Sequence, residues 1–213
     1  MNKKSAAVLL AVLLVVGIAI GGTMAWLSDE TDDIINTFTV GNINIELTET
    51  WNTDTDNDGK NETWKCQMIP GVDVVKDPTV TVKANSEDCW LFVRVNASSN
   101  LANYIKYEII STENEEKAWT ALTEVPDVYY REVAASDKDQ SFDVIGYTDD
   151  NNVFYKNKVL VKDTVTKAMM DELEKPPSNY PTLTFTAYAV QKDKNGTEQF
   201  TASEAWQKVS ASA

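Results

Sequence analysis

"DTDNDGKNE", Asp54 to Glu62, is the stretch of this sequence in which residue type and spacing come closest to a ligand-binding group. Asp54, Asp56 and Asp58 alternate, and Gly59 follows them. Alternate carboxylates converge on one point and glycine permits a sharp turn, which together make the first half of a calcium loop. Ca2+ takes hard oxygen ligands, and the Lys60 carbonyl and the Glu62 side chain would add to the set. The twelfth position of such a loop is Lys65, where a bidentate glutamate is needed, so the stretch is not a complete EF-hand. A solvated acidic turn in a hairpin, which aspartate and glycine also favour, stays open beside the calcium reading.

Histidine is absent from the chain. That removes Ser-His-Asp and Cys-His nucleophiles and every histidine-ligated zinc site. No glycine-rich phosphate loop or nucleotide fingerprint is present. Carboxylates are so numerous that close pairs arise by chance, and no spacing marks one as catalytic. The expectation is a protein that is not an enzyme. Cys66 and Cys89 lie beside the strand-like runs "TWKCQMI" and "DCWLFVRV". A bridge between them would close a loop of about 23 residues and add roughly 3 kcal/mol by the loop-entropy model. Two separate buried thiols are the alternative. Trp51, Trp64, Tyr129 and Tyr130 have the ring faces to stack on a glycan, but in alternating strands such rings more often make core or cross-strand pairs.

The elements that must position these residues read mostly as strands. "NINIEL" puts Ile43, Ile45 and Leu47 on one face, and "TLTFTAYAV" does the same for Leu183, Phe185, Ala187 and Ala189. "PTVTVKA", "CWLFVRV", "YIKYEII", "DVYYREV", "SFDVIGY" and "VFYKNKVLV" are rich in β-branched and aromatic residues and are punctuated by Gly, Asn, Asp, Ser and Pro. Asn195-Gly196 is a tight-turn signal. About ten short strands argue for a sandwich or a barrel. Two helices interrupt them. "DTVTKAMMDELEK" predicts a helix capped by Asp163, with Val165, Met169 and Leu173 on one face, ending before Pro176-Pro177. "TASEAWQKV" offers a capping box of Thr201 and Glu204, with Ala205, Trp206 and Val209 to pack on a sheet.

At the N-terminus Lys3 and Lys4 precede the apolar run "SAAVLLAVLLVVGIAIGG", and Thr23-Met24-Ala25 supplies small residues at a cleavage triplet. This predicts a signal peptide over 1–25, a cut between Ala25 and Trp26, and one domain over 26–213. An uncleaved anchor is the alternative, since the run approaches the roughly 20 residues of a spanning helix. Gly21, Gly22 and the small-residue exit favour cleavage. The 213-residue chain carries a formal charge of −14. Such a surface repels nucleic acid and anionic lipid and attracts cations. The chain is expected to meet a membrane only before its leader is cut.

"GGTMAWLSDETDDIINTFTVGNINIEL" resembles the N-terminus of the TasA/camelysin family, exported proteins of Gram-positive bacteria whose leaders are handled by a SipW-type signal peptidase. The shared features are the Thr-x-Ala exit, the aromatic and Ser/Asp after it, and Asn36, Phe38, Gly41 and Asn42 ahead of the first strand. "MIPGVDVVKDPTVTVKANSEDCWLFVRV" and "LTFTAYAVQ" with a later "EAW" resemble further parts of that family, so the likeness covers most of the chain. It implies a jelly-roll-like antiparallel β-sandwich with one or two short helices. It also implies a secreted subunit of biofilm matrix fibres, located in the extracellular matrix or at the cell surface. Self-association, the SipW-type peptidase and other matrix proteins are the implied partners. In family fibres the freed N-terminal segment adds as a strand to the next subunit; the matching residues here are Trp26 to Val40, with Trp26, Leu27, Ile34, Ile35, Phe38 and Val40 as its apolar positions. An ordinary first strand within the same sandwich is the alternative for that segment. The family also includes proteins described as camelysin-type metalloproteases, an activity this histidine-free chain does not inherit by motif. A monomeric calcium- or glycan-binding surface module is the remaining alternative.

Overall fold

The computed structural model describes residues 42–50, 67–111 and 118–210. All of them belong to one compact unit, Gly41–Ala213. The fold is all-β and sandwich-like, with antiparallel pairing throughout and a few short helices.

Among the described residues the strands are β1 (Ile45–Thr48), β2 (Asp73–Val75), β3 (Thr79–Val82), β4 (Cys89–Ala97), β5 (Ile105–Lys106), β6 (Glu108–Ile109), β7 (Thr120–Ala121), β8 (Val128–Val133), β9 (Gln140–Asp143), β10 (Ile145–Thr148), β11 (Phe154–Lys156), β12 (Lys158–Val161) and β13 (Leu183–Gln191). The helices are α1 (Leu101–Tyr104), α2 (Lys167–Glu174) and α3 (Ala202–Ser210). The largest sheet has the order β13-β4-β8-β7; the others run β1-β3-β9, β11-β10-β6 and β2-β12-β5.

Strand β4 is the wall between two apolar layers. Its alternation sends Cys89, Leu91, Val93 and Val95 to one side, where they meet Val80 and Val82 of β3, Phe142 of β9, Ile145 of β10 and Val159 of β12. Ile43, Ile45 and Leu47, and Leu183, Phe185, Ala187 and Ala189, close this main core from its margin, on the faces their period-two spacing predicts. On the other side Phe92 joins Val128, Leu122, Ala202, Ala205 and Trp206, so α3 covers the outer face of the β4 sheet. A third cluster gathers Tyr104, Val161, Val165 and Leu173 under α2.

Several local readings are corrected. "VFYKNKVLV" is two strands, because Asn157 adopts φ 61°, a left-handed conformation that asparagine tolerates and a continuous strand does not. "SFDVIGY" breaks at Val144, whose N–H donates to the Pro78 carbonyl while its carbonyl accepts from Ile110 N–H; there the chain passes from the β3 sheet to the β10 sheet. "YIKYEII" opens as the single turn α1 and continues as β5 and β6. Asp163 does not cap α2. Thr166 does, in extended conformation, its hydroxyl accepting the Met169 N–H at 3.3 Å, and the helix begins at Lys167. Val165 stays buried before the helix, and the helix stops at Lys175 ahead of the prolines. The turn at Asn195-Gly196 is wider than a two-residue hairpin: it is closed by the Asp193–Gln199 bridge, with Gly196 at φ +81°. Asp193 and Asn195 side chains accept the loop's own amides and fill it.

The capping box of α3 forms as its spacing predicts. The Glu204 carboxylate accepts the Thr201 N–H at 2.9 Å, and Thr201 Oγ1 accepts the Glu204 N–H at 3.3 Å. Thr201→Ala is expected to lower stability by about 1 kcal/mol, the usual value of an N-cap, read from the midpoint of urea unfolding.

Candidate assembly edge

Most residues singled out in the sequence lie outside the described residues: Asp54, Asp56, Asp58, Lys60 and Glu62 of the calcium reading, Trp51, Trp64, Cys66, Ala25, and the segment Trp26 to Val40. Among the described residues no group of three or more acidic or sulfur side chains is placed to hold a metal ion. Cys89 is a free thiol on the inner face of β4 with no exposed surface. Burial, helped by the Asp88 charge, pushes its pKa up to about 11, so at neutral pH it is protonated and packs as a small apolar side chain. Tyr129 packs against the main core, and burial raises its phenol. Tyr130 faces the other layer, opposite Phe92 in register and edge-on to Trp90 at 5.7 Å. Both tyrosines are core and cross-strand partners.

What the fold does present is a sheet edge. A strand at the margin of a sheet carries a row of backbone N–H and C=O groups without partners, and proteins blunt such rows by keeping marginal strands short or charged. Most margins here obey that rule. β7, β6 and β5 are two residues long, β2 and β11 are three, and β9 is four. Strand β13 does not. It runs nine residues, and among the described residues it pairs with β4 alone. Its sequence, Leu-Thr-Phe-Thr-Ala-Tyr-Ala-Val-Gln, contains no charge, no proline and no glycine.

A second margin lies beside it. β1 pairs only with β3 among the described residues, and its Cα atoms approach those of β13 within 8 Å although the two belong to different sheets. Both strands turn their apolar residues into the main core. The β1–β13 seam is therefore a line along which the four-stranded sheet and the β1-β3-β9 sheet meet, with no pairing between them among the described residues.

The near end of β1 is held firmly. The Asn44 carbonyl accepts Lys83 N–H at 2.9 Å, the Asn42 carbonyl accepts Glu87 N–H at 3.2 Å, and the Asn44 N–H donates to buried Ser86 Oγ at 3.2 Å. These bonds tie Asn42 and Asn44, just ahead of β1, to the link between β3 and β4. At the far end the Thr50 N–H donates to the Asp77 carboxylate at 2.9 Å, and Lys76 Nζ donates to both oxygens of Glu49 at 2.7 and 2.9 Å.

Glu49, Lys76 and the side of β13 that no described strand pairs escape sequence reading. Charge-free composition over nine residues is the one signal that marks β13 in advance. No family model matches the chain, and no curated protein or solved structure shows a significant match to it.

Proposed function

We propose that this chain is a secreted, non-enzymatic structural subunit of an extracellular fibre or surface matrix, of the TasA/camelysin type. Its leader is cut after Ala25 by a SipW-type peptidase, and the freed segment Trp26 to Val40 of one copy then adds as a strand at the β1–β13 seam of the next. The observation that carries this reading is the nine-residue, charge-free margin of β13. Other matrix proteins are secondary partners in this scheme.

Magnitudes decide which part of the donor matters. Each added backbone hydrogen bond contributes roughly 1 kcal/mol net. Ordering each donor residue costs about 1–2 kcal/mol of backbone entropy. Pairing alone therefore does not drive addition. Burial of the donor's apolar side chains must supply the rest, at about 1.5–3 kcal/mol for each fully buried Leu, Ile or Phe. Trp26, Leu27, Ile34, Ile35, Phe38 and Val40 are the residues able to contribute it.

Phe38→Asp in the mature chain is thus expected to abolish assembly, because it exchanges that burial for the desolvation of a charge. Sedimentation of mature protein reads it: the unaltered chain pellets as fibres and the variant stays monomeric with unchanged thermal stability. An unaltered mature chain that remains monomeric at high concentration, with or without calcium, overturns the reading. Chelator-sensitive hydrolysis of casein by that monomer would replace it with the metalloprotease.

A further inference from the structure

The β1–β13 seam carries a charge where an apolar joint needs none. Lys76, in the link between β2 and β3, projects its ammonium to within 5.4 Å of the Phe185 ring centroid, over the face that β13 turns toward the core. Glu49, the first residue after β1, clamps the same ammonium with both carboxylate oxygens. Both side chains are largely withdrawn from water, 17% exposed for Lys76 and 20% for Glu49. One ion pair thus joins the end of β1, the β2–β3 link and the body of β13.

Two features set this pair apart from the other ion pairs among the described residues. Those of α2, Lys167–Asp171 and Lys175–Glu172, are well exposed, as surface pairs of little energetic consequence are. Lys83 bonds Glu46 on the outward face of β1 and reaches Asp139, with half of each carboxylate side chain in water. Among the described residues, Lys76–Glu49 alone bridges the β1 and β13 margins. Replacing a withdrawn ion pair by neutral groups of similar volume is often neutral or stabilising, so the pair is poorly explained by stability. An inward-pointing charge at an open margin is, by contrast, a known way to keep another strand from joining it.

We propose that Lys76 and Glu49 form a latch on the β1–β13 seam that slows strand addition. An incoming strand has to part the pair and leave two charges out of water and out of contact, and this cost is met only by a donor that buries its full apolar set. The latch thereby discriminates a second copy's Trp26 to Val40 segment from casual edge-to-edge pairing. It rests on the strand-addition reading above.

The double variant Glu49→Gln with Lys76→Met keeps the side-chain length at position 49, shortens that at position 76 by one atom, and removes both charges. In the mature chain it is expected to melt at or above the unaltered temperature, to exchange β13 backbone amides roughly tenfold faster, and to assemble roughly tenfold faster, each tenfold corresponding to about 1.4 kcal/mol. Hydrogen exchange over Leu183–Gln191 followed by mass spectrometry, together with the lag time of sedimentable fibre, measures both rates. Fibre formation and exchange both at the unaltered rates overturn the latch while leaving strand addition standing. If neither protein assembles, the strand-addition reading fails and exchange alone judges the latch: faster exchange in the variant keeps it as a seam lock, and unchanged exchange removes it. The single variant Lys76→Met, which strands Glu49 at the seam, is expected to lose thermal stability; a single variant as stable as the unaltered chain counts against the pair being closed at all.

Discussion

Trp206→Ala is expected to destabilise the protein by about 3–5 kcal/mol, the usual range for deleting a buried tryptophan side chain. Trp206 is 6% exposed and is the largest residue that α3 sets against the β4 sheet. Its ring lies 5.4 Å from Phe92, tilted by 54°, and 5.4 Å from Tyr188, edge-on at 88°. Phe92 has no exposed surface and depends on this cover. Truncation removes the ring's own burial and also wets Phe92 and Tyr188, because a nine-residue helix does not settle far enough to close the gap. Thermal unfolding followed by circular dichroism should show a drop of roughly 10 °C or more. Trp206→Phe, which keeps an aromatic face at the same place, should lose less than half as much. A loss under about 1 kcal/mol for Trp206→Ala would mean that α3 is not docked on the sheet.

Gly146→Ala is the second large effect, and it comes from adding atoms. Gly146 sits in β10 between two partners, opposite Lys156 of β11 and Glu108 of β6. A Cβ built on it would lie 2.4 Å from Phe154 Cζ and 2.6 Å from the Tyr155 carbonyl oxygen. The Phe154 ring has some freedom to swing. The carbonyl belongs to the neighbouring strand and does not, so relief requires β10 and β11 to separate. Tyr147 and Tyr155, stacked at 5.0 Å across the same two strands, resist that separation. Overpacking of this kind costs about 1–3 kcal/mol, and a backbone neighbour puts the expectation at about 3 kcal/mol. A Tm within about 2 °C of the unaltered chain would show that β10 and β11 part at little cost.

The sequence made the marginal strands legible and the central ones much less so. β1 and the first half of β13 bury one face against the main core, so their alternation stands out; Ile43, Ile45, Leu47, Leu183, Phe185, Ala187 and Ala189 lie where period two puts them, while Tyr188 and Val190 on the other face of β13 join the layer under α3. β4 and β8 are covered on both faces. Trp90 and Tyr130 belong to one layer, Leu91 and Tyr129 to the other, and the pattern no longer says which side is inward. Arg131 shows how far this goes: its position matches the inner face of β8, and its guanidinium lies 3.6 Å from the Phe142 ring centroid, a placement no composition rule anticipates. Strand breaks were hidden for a different reason. A polar residue inside an apolar run, such as Asn157, looks like one more outward position until its backbone is seen to reverse hand.

Helix signals rest on bonds between near neighbours, and the reading succeeded where the reciprocal pair was present. Thr201 and Glu204 satisfy each other's amides; Asp163 has no such partner three residues on, and Thr166 takes its place. The candidate edge was half legible. Its composition is written in one run of residues, but its openness depends on which strands lie beside it, and its ion pair joins residues 27 positions apart.

Pairing between β13 and β4 matches Leu183 with Ala97 and Gln191 with Cys89. Roughly ninety residues of chain separate the two strands, a long-range closure of the kind that folds slowly. As the polypeptide leaves the ribosome at about 5–20 residues per second, β4 waits on the order of ten seconds for its partner to be made. Until then "CWLFVRV" has only β8 beside it, and the helix that covers Phe92 has yet to be synthesised. The four-stranded sheet and the cover of Phe92 are therefore completed only late in the chain's synthesis.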